Sequence, residues 1–146
     1  MQTSDVDLEG ARLLAAVARL NRWATRHAEL AIPPAQARLL SLIDELGPAR
    51  IGELATADHC SQPTMTTQVQ RLEAAGWASR ATDNHDARVA LIQLTSAGRR
   101  QLESLRSSRA QVLAPALAKL SDDDREALRR ATEVVLRVVQ TETETK

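Results

Sequence analysis

The chain has 146 residues, enough for one domain of ordinary size with a buried core. Hydrophobic residues make up 43% of it but aromatic residues only 1%, so the core must be built from Leu, Val, Ile and Ala, which favours packed helices. Nineteen basic and nineteen acidic residues cancel, so a charged partner such as nucleic acid must be met by a local patch.

Cysteine content and hydropathy restrict the cellular compartment. Cys60 is the single cysteine, which excludes an internal disulfide and a cysteine-rich zinc site and fits a reducing cytosol. The first residues lack the basic, apolar and small-residue order of a signal peptide, and no apolar run approaches the roughly 18 residues of a membrane span. We therefore expect a cytoplasmic protein that contacts no membrane.

Two helices are predicted at the start of the chain. From Asp7 to about Leu30, apolar residues recur at helical spacing on more than one side, which predicts more than one packing partner. The Ile32-Pro-Pro34 stretch ends this helix, because proline lacks an amide donor. A second helix then extends to Leu46 and ends at Gly47-Pro48.

The next segment predicts two short helices joined by a tight turn. Ala49-Arg-Ile51 is interpreted as a short extended link, and the third helix covers Gly52 to about Asp58. For the fourth helix, Ser61 is suited to the N-cap, Pro63 falls in the first turn, and Gly76 provides the C-terminal cap.

A β-hairpin and two long helices are predicted to follow. Trp77–Thr82 and Arg88–Leu94 are β-compatible runs separated by turn-forming residues. Thr95 is suited to cap a long helix in which Pro115 predicts a kink or a break, and Ser121 is suited to begin the last helix. Two short helices followed by a hairpin are typical of a winged helix-turn-helix.

The fourth helix has an uncharged polar side opposite its apolar stripe. Hydroxyl and amide groups suit base edges in a major groove, where Gln pairs with adenine and a Thr methyl packs on a thymine methyl. The alternative is that these side chains only keep a surface helix soluble. On helix propensity alone, however, a set of Thr and Gln is a poorer choice than Ala, Glu or Lys. The inward stripe is Met65, Val69 and Leu72, and the candidate DNA-binding residues are Gln62, Pro63, Thr64, Thr66, Thr67 and Gln70.

The hairpin contributes a second candidate contact. Asp86 lies two residues before Arg88, so its carboxylate would orient a guanidinium suited to a narrow, electronegative minor groove. Alone, this pattern is more often a surface ion pair, but its position after a candidate recognition helix favours DNA contact. Arg71 and Arg80 would hold phosphates or the local fold. His85, at the tip of the hairpin, would contact a phosphate.

Three segments in this region resemble the MarR family of bacterial winged-helix regulators in order and spacing: Arg71-Leu-Glu-Ala-Ala-Gly-Trp-Ala-Ser-Arg80, Asp86-Ala-Arg88 and Leu94-Thr95-Ser-Ala-Gly98. The resemblance extends across nearly the whole chain. It implies a mainly α fold with a small β-hairpin wing, a winged helix-turn-helix flanked by N- and C-terminal dimerisation helices. A single domain would cover residues 1–146, with the DNA-binding lobe at about 33–95 and the dimerisation helices at about 7–31 and 96–141.

The resemblance also implies a function. The chain would be a sequence-specific DNA-binding transcriptional regulator, a ligand-responsive repressor that binds a palindromic operator as a homodimer. A small-molecule effector would bind between the dimerisation helices and the DNA-binding lobe. Trp23, with Arg26 and His27 nearby, would line that pocket, or Trp23 would pack the dimer core. The alternative function is a winged-helix dimer that serves as a protein-interaction module, which the near-neutral charge supports.

Two residues depart from the family pattern. Thr67 stands where some relatives carry a base-contacting arginine, and Ala87 replaces a basic residue that is common between the wing Asp and Arg. Since fewer phosphates are then neutralised, we expect a modest electrostatic contribution from each subunit.

Other reactive side chains point to no further chemistry. Cys60 precedes the recognition helix, so a redox role is an alternative to a structural one, but peroxide-sensing relatives carry their cysteine in the first helix. His27, His59 and His85 lack the paired spacing of metal ligands, and the sequence has no nucleophile motif or phosphate-binding loop. We expect no metal, no cofactor and no enzymatic activity.

Overall fold

The computed structural model describes residues 4–144, in which the chain forms six α-helices and one β-hairpin. The elements are α1 (Asp5–His27), α2 (Pro34–Leu46), α3 (Ile51–Ala57), α4 (Gln62–Ala74), β1 (Ala78–Thr82), β2 (Ala90–Leu94), α5 (Ser96–Ala118) and α6 (Asp122–Glu144). The mainly α order with a small hairpin confirms the predicted fold class. The ends of the predicted domain, residues 1–3 and 145–146, lie outside the described residues.

The chain divides into two compact units, the first ending at Arg109 and the second beginning at Ala110. The first unit contains α1 to α4, the hairpin and the N-terminal part of α5. The second contains the rest of α5 and α6. The boundary therefore falls inside the C-terminal range assigned to dimerisation, and that assignment stays a prediction.

The core of the first unit is built from α2, α3, α4 and the hairpin, with α5 packed against it. Its fully buried side chains include Leu40, Ile43, Leu54, Met65, Val69, Leu72 and Ile92. Burial of each such aliphatic side chain contributes roughly 1.5–3 kcal/mol. The predicted inward stripe of α4 is thus confirmed, and its burial fixes which side of α4 faces outward.

A backbone bridge attaches the segment before α3 to the hairpin. The N–H of Ala49 donates to the carbonyl of Ile92 at 3.0 Å, and the N–H of Ile92 donates to the carbonyl of Ala49 at 2.7 Å. Ile51, predicted to belong to this extended link, instead begins α3. The helix starts one residue earlier because the Glu53 carboxylate accepts a hydrogen bond from the N–H of Arg50 at 3.1 Å.

The two strands of the hairpin are shorter than predicted. They pair antiparallel, with Ala78 opposite Leu94, and leave Trp77 and Arg88 outside the ladder. The N–H of Trp77 is used elsewhere, since it donates to the carbonyl of Leu72 at 2.9 Å in the turn that ends α4. Arg88 lies in the turn before β2, not on its rising arm.

Thr95 and Gly98 join the hairpin to α5 and to the end of α4. The Thr95 hydroxyl donates to the carbonyl of Gly76 at 2.6 Å and accepts from the N–H of Gly98 at 3.0 Å, so Thr95 caps α5 as predicted. A Cβ at position 98 would lie 2.0 Å from the carbonyl oxygen of Trp77, far inside van der Waals contact. This part of the family motif therefore maintains the fold.

The C-terminal helices differ from the prediction at one point. For Pro115 the sequence predicts a kink or a break, and the break is wrong, because α5 continues through Pro115 to Ala118. The missing N–H leaves the carbonyl of Gln111 without its helical hydrogen bond, a local cost that does not end the helix. The start of α6 is as predicted, since the Ser121 hydroxyl accepts from the N–H of Asp124 at 3.1 Å.

Apolar side chains are exposed along α1 and along α6. α1 has 23 residues but buries only Ala24, and none of the side chains described in α6 is buried. The exposed apolar residues are Val6, Leu8, Leu13, Leu14, Val17, Leu20 and Trp23 on α1, and Leu128, Val134, Leu136, Val138 and Val139 on α6. Neither these helices nor any other between residues 4 and 144 has the length and apolar character needed to cross a bilayer.

We expect the variant Gly98→Ala to lower the free energy of unfolding by about 1–3 kcal/mol, because its Cβ would force the start of α5 away from Trp77. The neighbouring variant Ala97→Gly changes helix propensity and should cost no more than ~1 kcal/mol. Urea unfolding followed by circular dichroism measures both. Equal losses would show that the close approach at Gly98 has no energetic consequence.

Candidate nucleic-acid interface

A four-residue turn, 58–61, sets the angle between α3 and α4. The N–H of Cys60 donates to the carbonyl of Ala55 at 3.0 Å, which ends α3, and His59 takes the left-handed conformation with φ of 53°. Histidine is among the non-glycine residues that adopt this conformation most readily. Ser61 then caps α4 as predicted, its hydroxyl accepting from the N–H of Thr64 at 3.2 Å.

The outward side of α4 consists of uncharged polar groups. Thr66 is half-buried, and the remaining candidate base-contacting residues are exposed, namely Gln62, Pro63, Thr64, Thr67 and Gln70. Two of the hydroxyls are hydrogen-bonded within the helix: Thr67 donates to the carbonyl of Pro63 at 3.1 Å, and Thr64 accepts from the Ser61 hydroxyl at 2.8 Å. The backbone of α4 is held by the core, so this side presents a fixed pattern of groups.

The hairpin contains the predicted ion pair. Both the N–H and the Nε of Arg88 donate to Oδ1 of Asp86, at 3.0 and 3.2 Å. The Arg88 side chain is nevertheless 91% exposed. Asp86 therefore orients the inner part of the guanidinium, and its outer nitrogens are turned to solvent, where a nucleic acid would meet them.

An ion pair between Arg50 and Asp83 attaches the turn of the hairpin to the start of α3. Arg50 Nη2 lies 3.0 Å from Asp83 Oδ2, and the N–H of His85 donates to Asp83 Oδ1 at 2.9 Å. The His85 N–H, and then the Arg50 guanidinium, hold the pKa of Asp83 below its ordinary value. The sequence prediction missed this pair because its members are 33 residues apart. The His85 side chain is exposed at the tip.

Arg80 and Arg71 have different surroundings. Arg80 forms a forked pair with Glu73, with Nε 3.1 and 3.2 Å from the two carboxylate oxygens and Nη2 3.0 Å from one of them. This pair joins β1 to α4, so Arg80 holds the local fold, one of the two roles predicted for it. Arg71 is exposed and forms no ion pair with any side chain described between residues 4 and 141.

A cavity of about 610 Å³ lies between α1, α2 and α5 of the first unit, and its wall includes Arg22, Arg26, Arg38, Arg106 and Arg109. Arg38 pairs with Asp58 at 2.7 Å and Arg106 with Asp44 at 2.9 Å, contacts that raise the pKa of both guanidinium groups. Arg109 donates to Asn21, while its Nε is buried without a partner in the described part of the chain.

The structure separates the three residues predicted for an effector pocket. Arg26 lines the cavity, but Trp23 and His27 are not part of its wall. Their rings are in contact, with centroids 4.9 Å apart and planes tilted by 32°, and Trp23 is 38% exposed. Sequence reasoning missed Arg22 and Arg109, because the cavity unites residues from three helices and no local pattern marks them.

Cys60 is half-buried and packs against the core of the first unit. This position is consistent with the structural role considered for it. Among residues 4–144, no three His, Cys, Asp or Glu side chains are grouped in a way that could hold a metal ion.

The fold and the site together define a winged helix-turn-helix protein, with α3 and α4 as the helix-turn-helix, α4 as the recognition helix and the hairpin as the wing. Comparisons with known proteins agree. A putative transcriptional regulator of Pseudomonas aeruginosa is 29% identical, with a TM-score of 0.75 over 94% of this chain and 97% of that one. The apo form of Escherichia coli MarR is 26% identical, with a TM-score of 0.63 over 86% of this chain and 96% of that one.

Sequence comparison leads to the same class. An uncharacterised HTH-type transcriptional regulator of Mycobacterium bovis is 29% identical over 125 residues, which are 85% of this chain and 87% of that protein. Residues 32–90 match the model of the MarR family. This match agrees with the resemblance to the MarR family that the motifs indicated.

Proposed function

We propose that the chain is a homodimeric, ligand-responsive repressor that binds a palindromic operator. The match to the MarR family and the similarity to HTH-type transcriptional regulators support a DNA-binding transcriptional regulator. Beyond this class, we propose the two-fold symmetry of the dimer and its operator, the response to a ligand, and repression of transcription. The observation that carries the proposal is the exposed, uncharged side of α4 placed beside the exposed Arg88 of the wing.

The proposed contacts divide between the two grooves. Gln62, Thr64, Thr67 and Gln70 would face base edges in the major groove, and Arg88, held by Asp86, would enter the minor groove. Arg71, which is exposed, would bind a phosphate. Because Arg80 is already paired with Glu73, its contribution would be to hold α4 against β1.

The proposed homodimer explains the exposed apolar surfaces. Within a single chain, large apolar side chains of α1 and of α6 remain exposed, and an exposed apolar surface of this extent is typical of an interface. A two-fold symmetric dimer would present two identical recognition helices to the DNA. Because each helix would bind the same half-site sequence, the operator would be palindromic.

The proposed effector site is the cavity between α1, α2 and α5. Arg22 and Arg26 line it and form no ion pair with the described residues, and Glu45 is the one acidic residue in its described wall, so the excess of positive charge favours an anionic ligand. A ligand that binds one arrangement of the dimer more tightly would shift the population between arrangements, and with it the operator affinity.

A gel-shift titration with genomic fragments at two salt concentrations tests the regulator proposal. Specific fragments should be retained, with log affinity falling against log salt by about 0.9 for each phosphate contacted. Failure to retain any specific fragment at low salt would overturn the proposal and favour a protein-interaction module.

We expect Arg88→Ala to weaken binding to a retained fragment by roughly tenfold, or ~1.4 kcal/mol, because a charge-assisted contact in the minor groove is lost. The unfolding temperature should change little, since an exposed ion pair contributes at most ~1 kcal/mol. Lys119→Ala removes the same charge from the exposed end of α5 and serves as the control. Equal binding by Arg88→Ala and wild type would remove the wing from the mechanism.

We expect Leu14→Glu to convert the dimer to a monomer, because it places a charge on a side chain that is 70% exposed in the single chain and would be buried between subunits. Light scattering measures the mass, and circular dichroism should show retained helices. Arg12→Glu, on the opposite side of α1, is the matched control. A dimer that persists in Leu14→Glu would contradict the proposed role of α1.

A further inference from the structure

We propose that Thr67 contacts a thymine in each operator half-site through its methyl group, while its hydroxyl is occupied within the helix. The proposal rests on the proposed function and specifies the base that one residue of α4 recognises.

The Thr67 hydroxyl forms a hydrogen bond within α4, and this limits which of its groups can contact a base. A threonine hydroxyl has one hydrogen to donate, and in Thr67 it is donated to the carbonyl of Pro63 at 3.1 Å. The hydroxyl therefore has no hydrogen left for an acceptor on a base edge, such as guanine O6 or thymine O4. The hydroxyl oxygen can still accept a hydrogen bond. Because Thr67 is exposed and opposite the buried stripe, its methyl group is also available as a contact surface, and this is the contact that we propose.

Thr64 shows that this arrangement is specific to Thr67. The Ser61 hydroxyl donates to Oγ1 of Thr64 at 2.8 Å, so the hydroxyl of Thr64 accepts and keeps its own hydrogen. Both threonines carry a methyl group, but Thr64 keeps a hydroxyl hydrogen that it can donate, and Thr67 does not.

The neighbouring residues favour an A·T pair at this place. Residues 62–70 contain no Arg or Lys, the side chains that pair with guanine O6 and N7. Gln70, one turn after Thr67, is exposed and suited to the N6 and N7 of adenine. Among the four bases, only thymine carries a C5 methyl group in the major groove.

The test begins by selecting bound sequences from a random DNA pool with the full-length protein. In the selected site each thymine is then replaced in turn by deoxyuridine, which lacks the methyl group and keeps the same hydrogen-bonding edge. At one thymine per half-site, we expect about fourfold weaker binding, the equivalent of ~0.8 kcal/mol for one buried methyl group.

Two variants of Thr67 identify the responsible group. Thr67→Val keeps a methyl and removes the hydroxyl, so it should retain both affinity and the preference for thymine over uracil. Thr67→Ser keeps the hydroxyl and removes the methyl, so it should bind both sites with the affinity that wild type has for the uracil site. Thr64→Ser, the same deletion on the neighbouring threonine, should retain the preference at that position. Circular dichroism checks that each variant is folded.

The proposal is overturned if Thr67→Ser and wild type discriminate thymine from uracil equally, or if folded Thr67→Val loses specific binding. The second outcome would mean that the hydroxyl accepts a hydrogen bond from a base. If no sequence is enriched in the selection, the proposed DNA-binding function fails. If a sequence is enriched but the preference for thymine over uracil does not depend on the methyl group of Thr67, only the present proposal fails.

Discussion

Met65, Val69 and Leu72 pack into the core against α2, α3 and the hairpin, and this packing leaves α4 no freedom to rotate about its axis. A rotation by one residue would place a polar threonine or glutamine in the core and expose an aliphatic side chain, at a cost of several kcal/mol. The chemical pattern on the outward side is therefore set by burial on the inward side. Recognition by this helix depends on that constraint before any contact with DNA is made.

Most arginine side chains in the winged-helix region form ion pairs with carboxylates of the same chain. Arg38, Arg50 and Arg80 bind Asp58, Asp83 and Glu73, and these pairs join elements that are separate in sequence. Few basic side chains, Arg71 and Arg88 among them, are left for phosphates, which agrees with the balanced charge of the chain. Such a surface depends more on hydrogen bonds and methyl contacts than on charge.

Features encoded within one or two turns of chain were predictable from the sequence. The caps at Ser61 and Thr95, the inward stripe of α4 and the pairing of Asp86 with Arg88 all involve near neighbours. Features that depend on tertiary proximity were not, as the Arg50–Asp83 pair and the arginines of the cavity show. Pro115 illustrates a third case, since a helix can continue through a proline at the cost of one hydrogen bond, and the residue type alone does not show whether it does.

The close approach at Gly98 also has a mechanical consequence. The first turn of α5 touches the backbone of Trp77 with no space between them, and Thr95 connects the same turn to Gly76. Further along, Leu102 and Leu105 of α5 form part of the cavity wall. A ligand that displaced this wall would move α5. Because the start of α5 is in tight contact with the backbone of Trp77 at the beginning of the hairpin, that movement would be transmitted to the wing.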